Sequence, residues 1–233
     1  MRLRSRRKRN YTGIILGILV IIVVIGVFFG YMMDRRLKSS PEYMANVVAY
    51  VFKRDGDYAL LLVNSAKSEV KILYMESKKY LYDPQTKAYL SGEGREDDLD
   101  FFNKTFNVNA DYEYYINLDG GNIIKFSTAL LGKRVEKLKD LVNSLRTRRQ
   151  NILDSFKVDS MAKSFRLFSN LTSPSILKLM NSMASYVVSE IDEIPTVTNY
   201  PVKIIVGKDK KKEFYRLYIS EEGKEKIIKF LSN

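Results

Sequence analysis

The chain has 233 residues, 45% of them hydrophobic, with 39 Lys+Arg against 27 Asp+Glu and a formal net charge of +12. Cysteine and histidine are both absent. That excludes disulfides, Cys/His zinc sites and Ser-His-Asp or Cys-His nucleophile systems, and leaves chemistry to Asp/Glu, Arg/Lys, Tyr, Ser/Thr or a metal held by oxygen.

The charge is unevenly placed. Residues 1–40 hold nine of the basic and one of the acidic side chains, so the remaining 193 residues keep 30 and 26. That near balance argues against a nucleic-acid partner for the larger part. Residues 1–12 form a basic arm with Arg2, Arg4, Arg6, Arg7, Lys8 and Arg9, and Gly13 to Met33 is an uncharged apolar run of 21 residues. At about 1.5 Å per residue this is long enough to cross a hydrocarbon core of roughly 30 Å. A signal peptide would need a shorter apolar core and a small-x-small cleavage site, which Val27 to Met33 fits poorly. The expectation is an uncleaved anchor. The basic arm outweighs Arg35, Arg36 and Lys38 beside Asp34, so the N-terminus is expected in the cytoplasm and the rest outside the cytoplasmic membrane. Residues 34–44, with Ser39-Ser40-Pro41, read as a tether, and residues 45–233 as one domain.

Within that domain, Asn46 to Phe52 and Tyr58 to Val63 are β-rich runs joined by Lys53-Arg54-Asp55-Gly56-Asp57, whose Asp-Gly pair marks a hairpin turn. Val70 to Met75 is expected to be a third adjacent antiparallel strand. Ser91 to Asp98 reads as a loop, followed by a short helix over Leu99 to Phe106. The acidic cluster Glu93, Glu96, Asp97, Asp98 and Asp100 lacks calcium-loop spacing and is read as acidic residues at a helix start. Tyr112 to Asn117 is expected as a strand, turning at Asp119-Gly120-Gly121 into a helix that ends near Leu131-Gly132. No nucleotide-binding glycine motif is present.

Lys133 to Phe156 reads as a long amphipathic helix with room for an interruption, its seam formed by Val135, Leu138, Val142, Leu145, Arg149, Ile152 and Phe156. Ser173 is expected as N-cap of the next helix, with Pro174 at its first position and Ile176, Met180, Met183, Val187 and Ile191 along one side. A hairpin over Val202 to Val206 and Phe214 to Ile219 and a helix capped by Ser220 complete the domain. The fold class is therefore α/β, a mixed central sheet flanked by helices and preceded by one transmembrane helix.

Arg149 interrupts an otherwise apolar seam. Placed on one helix with Arg146 and Gln150, it makes a fork suited to phosphate oxygens. The alternative is an Arg149 that snorkels to water or pairs with a structural carboxylate.

The stretch Leu145-Arg146-Thr147-Arg148-Arg149-Gln150 resembles the Gly-Arg-x-x-Arg-Gln signature of the LytR-CpsA-Psr family of membrane-anchored envelope proteins. Asp57 to Val63 with Val70 to Leu73 is similar to that family's opening hairpin, and Asp111 to Gly120 with Leu130-Leu131-Gly132 to its Asp-Tyr-Tyr strand, Asp-Gly turn and Leu-Gly ending. Phe214 to Leu231 also resembles the family's last strand and helix. The resemblance implies transfer of a glycopolymer phosphate from a polyprenyl pyrophosphate carrier to peptidoglycan. Carried over, Arg146 and Arg149 become phosphate contacts, Gln150 a substrate contact and Asp57 a magnesium ligand, with no zinc or nucleotide. Where the family has Pro-Arg-Asp this chain reads Glu76-Ser77-Lys78, so Lys78 or Lys79 is left to supply charge. Between Gly132 and Arg146 the chain is also shorter than the family's loop. These departures point to a protein that binds a polyprenyl-linked glycan with reduced or no catalysis; an active phosphotransferase and an unrelated anchored scaffold are the alternatives.

Overall fold

A computed structural model describes residues 11–76, 80–149, 153–191, 196–197, 203–206, 212–215 and 217–232. Its first element is helix α1 (Tyr11–Lys38), followed by the one-turn α2 (Pro41–Met44). Ile15–Lys38 is long and apolar enough to cross a membrane, and little of its apolar stretch is covered by protein. The stretch read as a tether is largely helical. Leu37 is buried in the domain core, and Ser40 caps α2 by accepting a hydrogen bond from the Tyr43 amide.

Three strands follow as a meander: β1 (Val47–Arg54), β2 (Asp57–Asn64) and β3 (Glu69–Met75), each antiparallel to its neighbour, as the sequence predicts. Helix α3 (Glu96–Phe106) begins with three acidic residues in its first turn and leads to β4 (Tyr112–Asn117), which pairs parallel to β1. Helix α4 (Asn122–Leu131) ends on Gly132 in the left-handed conformation, where a side chain would be strained.

The expected helix over Lys133 to Phe156 is two helices, α5 (Leu138–Arg146) and α6 (Asp154–Phe165). No Pro or Gly breaks it. Arg148 turns inward instead, its Nη1 2.7 Å from Asp154 Oδ2 and its Nε donating to the Leu130 carbonyl at 2.8 Å. This bidentate pair faces the first turn of α6 and the last turn of α4, a stabilising placement for both charges. Val135, Leu138, Val142 and Leu145 are buried as the seam requires, whereas Arg149 is exposed and lies outside both helices.

Helix α7 (Ser173–Ser185) is capped by Thr172, one residue earlier than expected, through a reciprocal box with Ser175. It ends before Val187. Val187–Ile191 is not a continuation of its apolar side but strand β5, parallel to β3. Next come β6 (Thr196–Val197), β7 (Lys203–Val206), β8 (Lys212–Tyr215), β9 (Tyr218–Ile219) and α8 (Glu221–Ser232). The predicted C-terminal hairpin exists as β7 with β8. Its expected last two residues instead form β9, which pairs with β6. The Ser220 side chain accepts the Gly223 amide at the start of α8.

The main sheet has the order β4-β1-β2-β3-β5. Its central strands are buried on both faces, which accounts for their near-continuous apolar runs. Val48, Tyr50, Phe52, Leu61 and Ile72 pack with α4 to α7 on one face; Val51, Tyr58, Leu60 and Leu73 pack with α3 and α8 on the other. The described molecule is thus α/β, a mixed five-stranded sheet between two helical layers, with one apolar N-terminal helix.

Candidate functional site

At the β1–β2 turn, Asp55 and Gly56 have φ of 50° and 105°. Positive φ at both central positions is what a two-residue hairpin turn demands, and the register brings Arg54 opposite Asp57. The turn is held from behind. Lys53, almost fully buried, pairs with Asp119, whose other carboxylate oxygen accepts the Asp55 amide at 2.7 Å.

A cavity of about 500 Å³ opens between this turn, the end of β3 and the entrance to α5. Arg54, Asp55, Asp57 and Tyr58 line it from the hairpin, Tyr74 and Glu76 from β3 and beyond, and residues 136–140 from the α5 side. Arg54 Nε lies 3.3 Å from Asp55, while its Nη1 is buried and has no hydrogen-bond partner among the described residues. A buried guanidinium nitrogen left in this state costs on the order of 1–3 kcal/mol and is a ready donor for an anion. Lys139 stands over the Tyr74 ring, 5.4 Å from its centroid.

The floor is rigid. Tyr58 Oη donates to Asp98 at 3.1 Å, and Asp98 also accepts the amides of Ser91 and Gly94, each at 2.7 Å. Burial, reinforced by the Asp98 carboxylate, pushes the Tyr58 phenol far above its ordinary pKa, so it remains a neutral donor. Asp98 is therefore not only an acidic residue at a helix start; it pins the 91–95 loop to β2.

Three cations (Arg54, Lys137, Lys139) share the cavity wall with five carboxylates (Asp55, Asp57, Glu76, Glu136, Asp140). Among the described residues no three Asp/Glu side chains are grouped to hold a metal ion. The described residues thus supply no cage of their own for magnesium. A single carboxylate such as Asp57 suits that ion only alongside water and phosphate oxygens, its usual partners.

The residues singled out in the sequence are dispersed. Asp57 lines the cavity. Arg146 closes α5, eight residues from Leu138 and hence about 12 Å along the helix, and pairs with Glu190 of β5 at 3.4 Å, both side chains more than a third exposed. Arg149 borders a separate depression beside Gly132 and Asp154. Lys78, Lys79 and Gln150 lie outside the described residues. Arg54 was hidden in the sequence, because a basic pair ahead of Asp-Gly reads first as a turn flank.

No family model matches the chain, and no curated protein does. Among solved structures, 21 chains match. The crystal structure of B. subtilis TagT is 12% identical, covers 83% of this chain and 92% of its own, and gives a TM-score of 0.44. A LytR-CPS2A-psr family protein, YwtF (TagT) with bound octaprenyl pyrophosphate lipid, is 14% identical, with coverages of 84% and 92% and a TM-score of 0.41. Lin1025 from Listeria innocua is 13% identical, with coverages of 80% and 99% and a TM-score of 0.47. These likenesses leave the site to be argued from its own residues.

Proposed function

We propose that this is a membrane-anchored protein of cell-envelope glycopolymer assembly, whose α/β domain lies outside the cytoplasmic membrane and binds the pyrophosphate of a polyprenyl-linked glycan. The observation that carries the reading is Arg54, which lines the cavity together with Asp57 and Lys139 and whose buried Nη1 has no hydrogen-bond partner among the described residues. It agrees with the sequence blocks that resemble the LytR-CpsA-Psr family, in which charge neutralisation and positioning do most of the work of phosphoryl transfer.

In this reading Arg54 and Lys139 contact phosphate oxygens. The excess of carboxylates would repel a bare pyrophosphate; Asp57 would hold a magnesium ion arriving with the ligand, which would supply the charge neutralisation that the phosphates need. Arg146 and Arg149 reach other parts of the glycan phosphate only if the α5–α6 junction approaches the cavity, and Gln150 and Lys78 would act with them. Because Glu76-Ser77-Lys78 replaces the family's Pro-Arg-Asp, transfer to peptidoglycan is expected to be weak or undetectable.

The test uses the full chain in lipid nanodiscs, titrated with geranylgeranyl pyrophosphate and magnesium. Arg54→Ala should weaken binding by about 1.5–3 kcal/mol, roughly 10- to 150-fold. Unchanged affinity would remove the cavity from consideration. The topology is checked separately: protease added to intact spheroplasts should remove a C-terminal tag, and a protected tag would reverse the orientation.

A further inference from the structure

The outer end of α1 does not leave the domain freely. Asp34 accepts a hydrogen bond from Ser155 Oγ at 2.8 Å and pairs with Lys38 at 2.8 Å, and Leu37 is buried in the core. Just N-terminal to that anchor point, Gly26, Val27, Gly30 and Tyr31 of α1 form an apolar groove of about 420 Å³ with Leu153 and Phe156 at the entrance to α6. Gly30 is necessary to it: a Cβ there would lie 2.8 Å from Phe156 Cε2 and Cζ, so the ring rests directly on the helix backbone.

The depth of this contact decides its meaning. The first charges after the apolar run are Asp34, Arg35 and Arg36. Gly30 precedes Asp34 by four residues, so Phe156 touches α1 about 6 Å to the hydrocarbon side of that charged ring. Leu153 and Phe156 are also 52% and 42% exposed to solvent in the isolated chain. Two apolar side chains against the flank of a membrane-crossing helix, one turn inside its charged end, sit at the depth where amphipathic surface elements bury their apolar faces, about 5–10 Å into the headgroup–acyl boundary.

We propose that Leu153 and Phe156 insert into the leaflet on the domain's side, with phospholipid acyl chains filling the groove against α1. The domain is thereby docked on the bilayer. The apolar surface of α1 continues into the groove as far as Asp34, which lines its outer end, and Arg35 and Arg36 follow at the level of the lipid phosphates. The inference depends on α1 crossing a membrane and is independent of the ligand assigned to the hairpin cavity.

The chain's lack of cysteine gives a direct test. The full chain carrying Leu153→Cys, Phe156→Cys or Lys104→Cys is labelled with bimane and reconstituted into vesicles of phosphatidylcholine and phosphatidylglycerol in a three-to-one ratio. Lys104 is exposed on α3, across the sheet from α6, and reports on water. The labels at residues 153 and 156 should be quenched several-fold more than that at 104 by a phosphatidylcholine bearing a nitroxide near the top of its acyl chain, and several-fold less by aqueous iodide. Leu153 is exposed, so Leu153→Cys tests the inference even if Phe156→Cys fails to fold. Iodide quenching equal to that of the residue 104 label would overturn the proposal. Protection from both quenchers would overturn it too, because protein and not lipid would then cover the groove.

Discussion

Two arginines, at opposite sides of α5, show how the same side chain serves different ends. At the α5–α6 junction every nitrogen of Arg148 has a partner: both terminal nitrogens meet Asp154 and its Nε meets the Leu130 carbonyl. At the hairpin cavity Arg54 has only a long contact to Asp55 and keeps a buried nitrogen without a partner among the described residues. A satisfied buried charge fixes a structure; an unsatisfied one stores binding capacity. Unmet hydrogen-bonding capacity, more than the presence of arginine, points to a site in this domain.

The largest effect is expected at Arg148. Arg148→Ala removes the bidentate partner of the buried Asp154 carboxylate and should destabilise the protein by about 3–5 kcal/mol, with pyrophosphate affinity unchanged in the fraction that folds. Chemical denaturation of the full chain in detergent measures it. Arg54→Ala should do the reverse, losing about 1.5–3 kcal/mol of ligand affinity and almost no stability. If both variants lost mainly stability, the two regions would be alike and the cavity structural.

A third buried cation sharpens the contrast by pH. Lys178 donates to the carbonyls of Tyr43 and Ala45, and burial lowers its pKa to about 8, against the pull of Asp111. Between pH 8 and the ordinary lysine value the unfolded chain binds more protons than the folded one, so this group makes stability rise with pH, by up to about 1.4 kcal/mol per unit. Lys178→Met should flatten that rise in denaturation series from pH 8 to 9.5. Above that range the buried tyrosines act oppositely: burial raises the pKa of Tyr50, and the folded state then keeps protons the unfolded chain loses. A slope identical in both proteins would show that the Lys178 ammonium is not destabilised by its surroundings.

The smallest effects are expected at Arg146 and Arg149. The Arg146–Glu190 pair is solvent-exposed, so Arg146→Ala should cost less than about 1 kcal/mol of stability, as should Arg149→Ala. A loss of pyrophosphate affinity in either variant as large as that of Arg54→Ala would extend the site to the α5–α6 junction.

Much of this architecture was legible because local and tertiary signals agree. The Asp55-Gly56 turn, the two-sided apolar strands and the Gly132 stop each carry a strong local rule. Where they conflicted, the sequence misled. Val187 and Ile191 continue the spacing of α7, yet Val187 and Val188 are β-branched and find β3 as a partner, so tertiary pairing won over periodicity. The break in the long helix is invisible to composition, because it comes from Arg148 reaching Asp154 and Leu130. The cavity was half legible: Asp57 stands in it, but Arg54 becomes notable only once its neighbours in space are counted.

The uninterrupted meander at the sheet's centre has a consequence for how the chain acquires its shape. The β1–β2 connection closes over two residues and the β2–β3 connection over four, whereas β5 must find β3 after the intervening helices have been made. Short closures cost little chain entropy, so the β1–β2–β3 unit forms the early template and the parallel edge strands β4 and β5 add late. Truncating Leu61 should therefore slow folding, while truncating Val188 should chiefly speed unfolding. The order suits a chain whose apolar helix is made first: the strands that begin the domain's assembly are those synthesised directly after the segment long and apolar enough to cross a membrane.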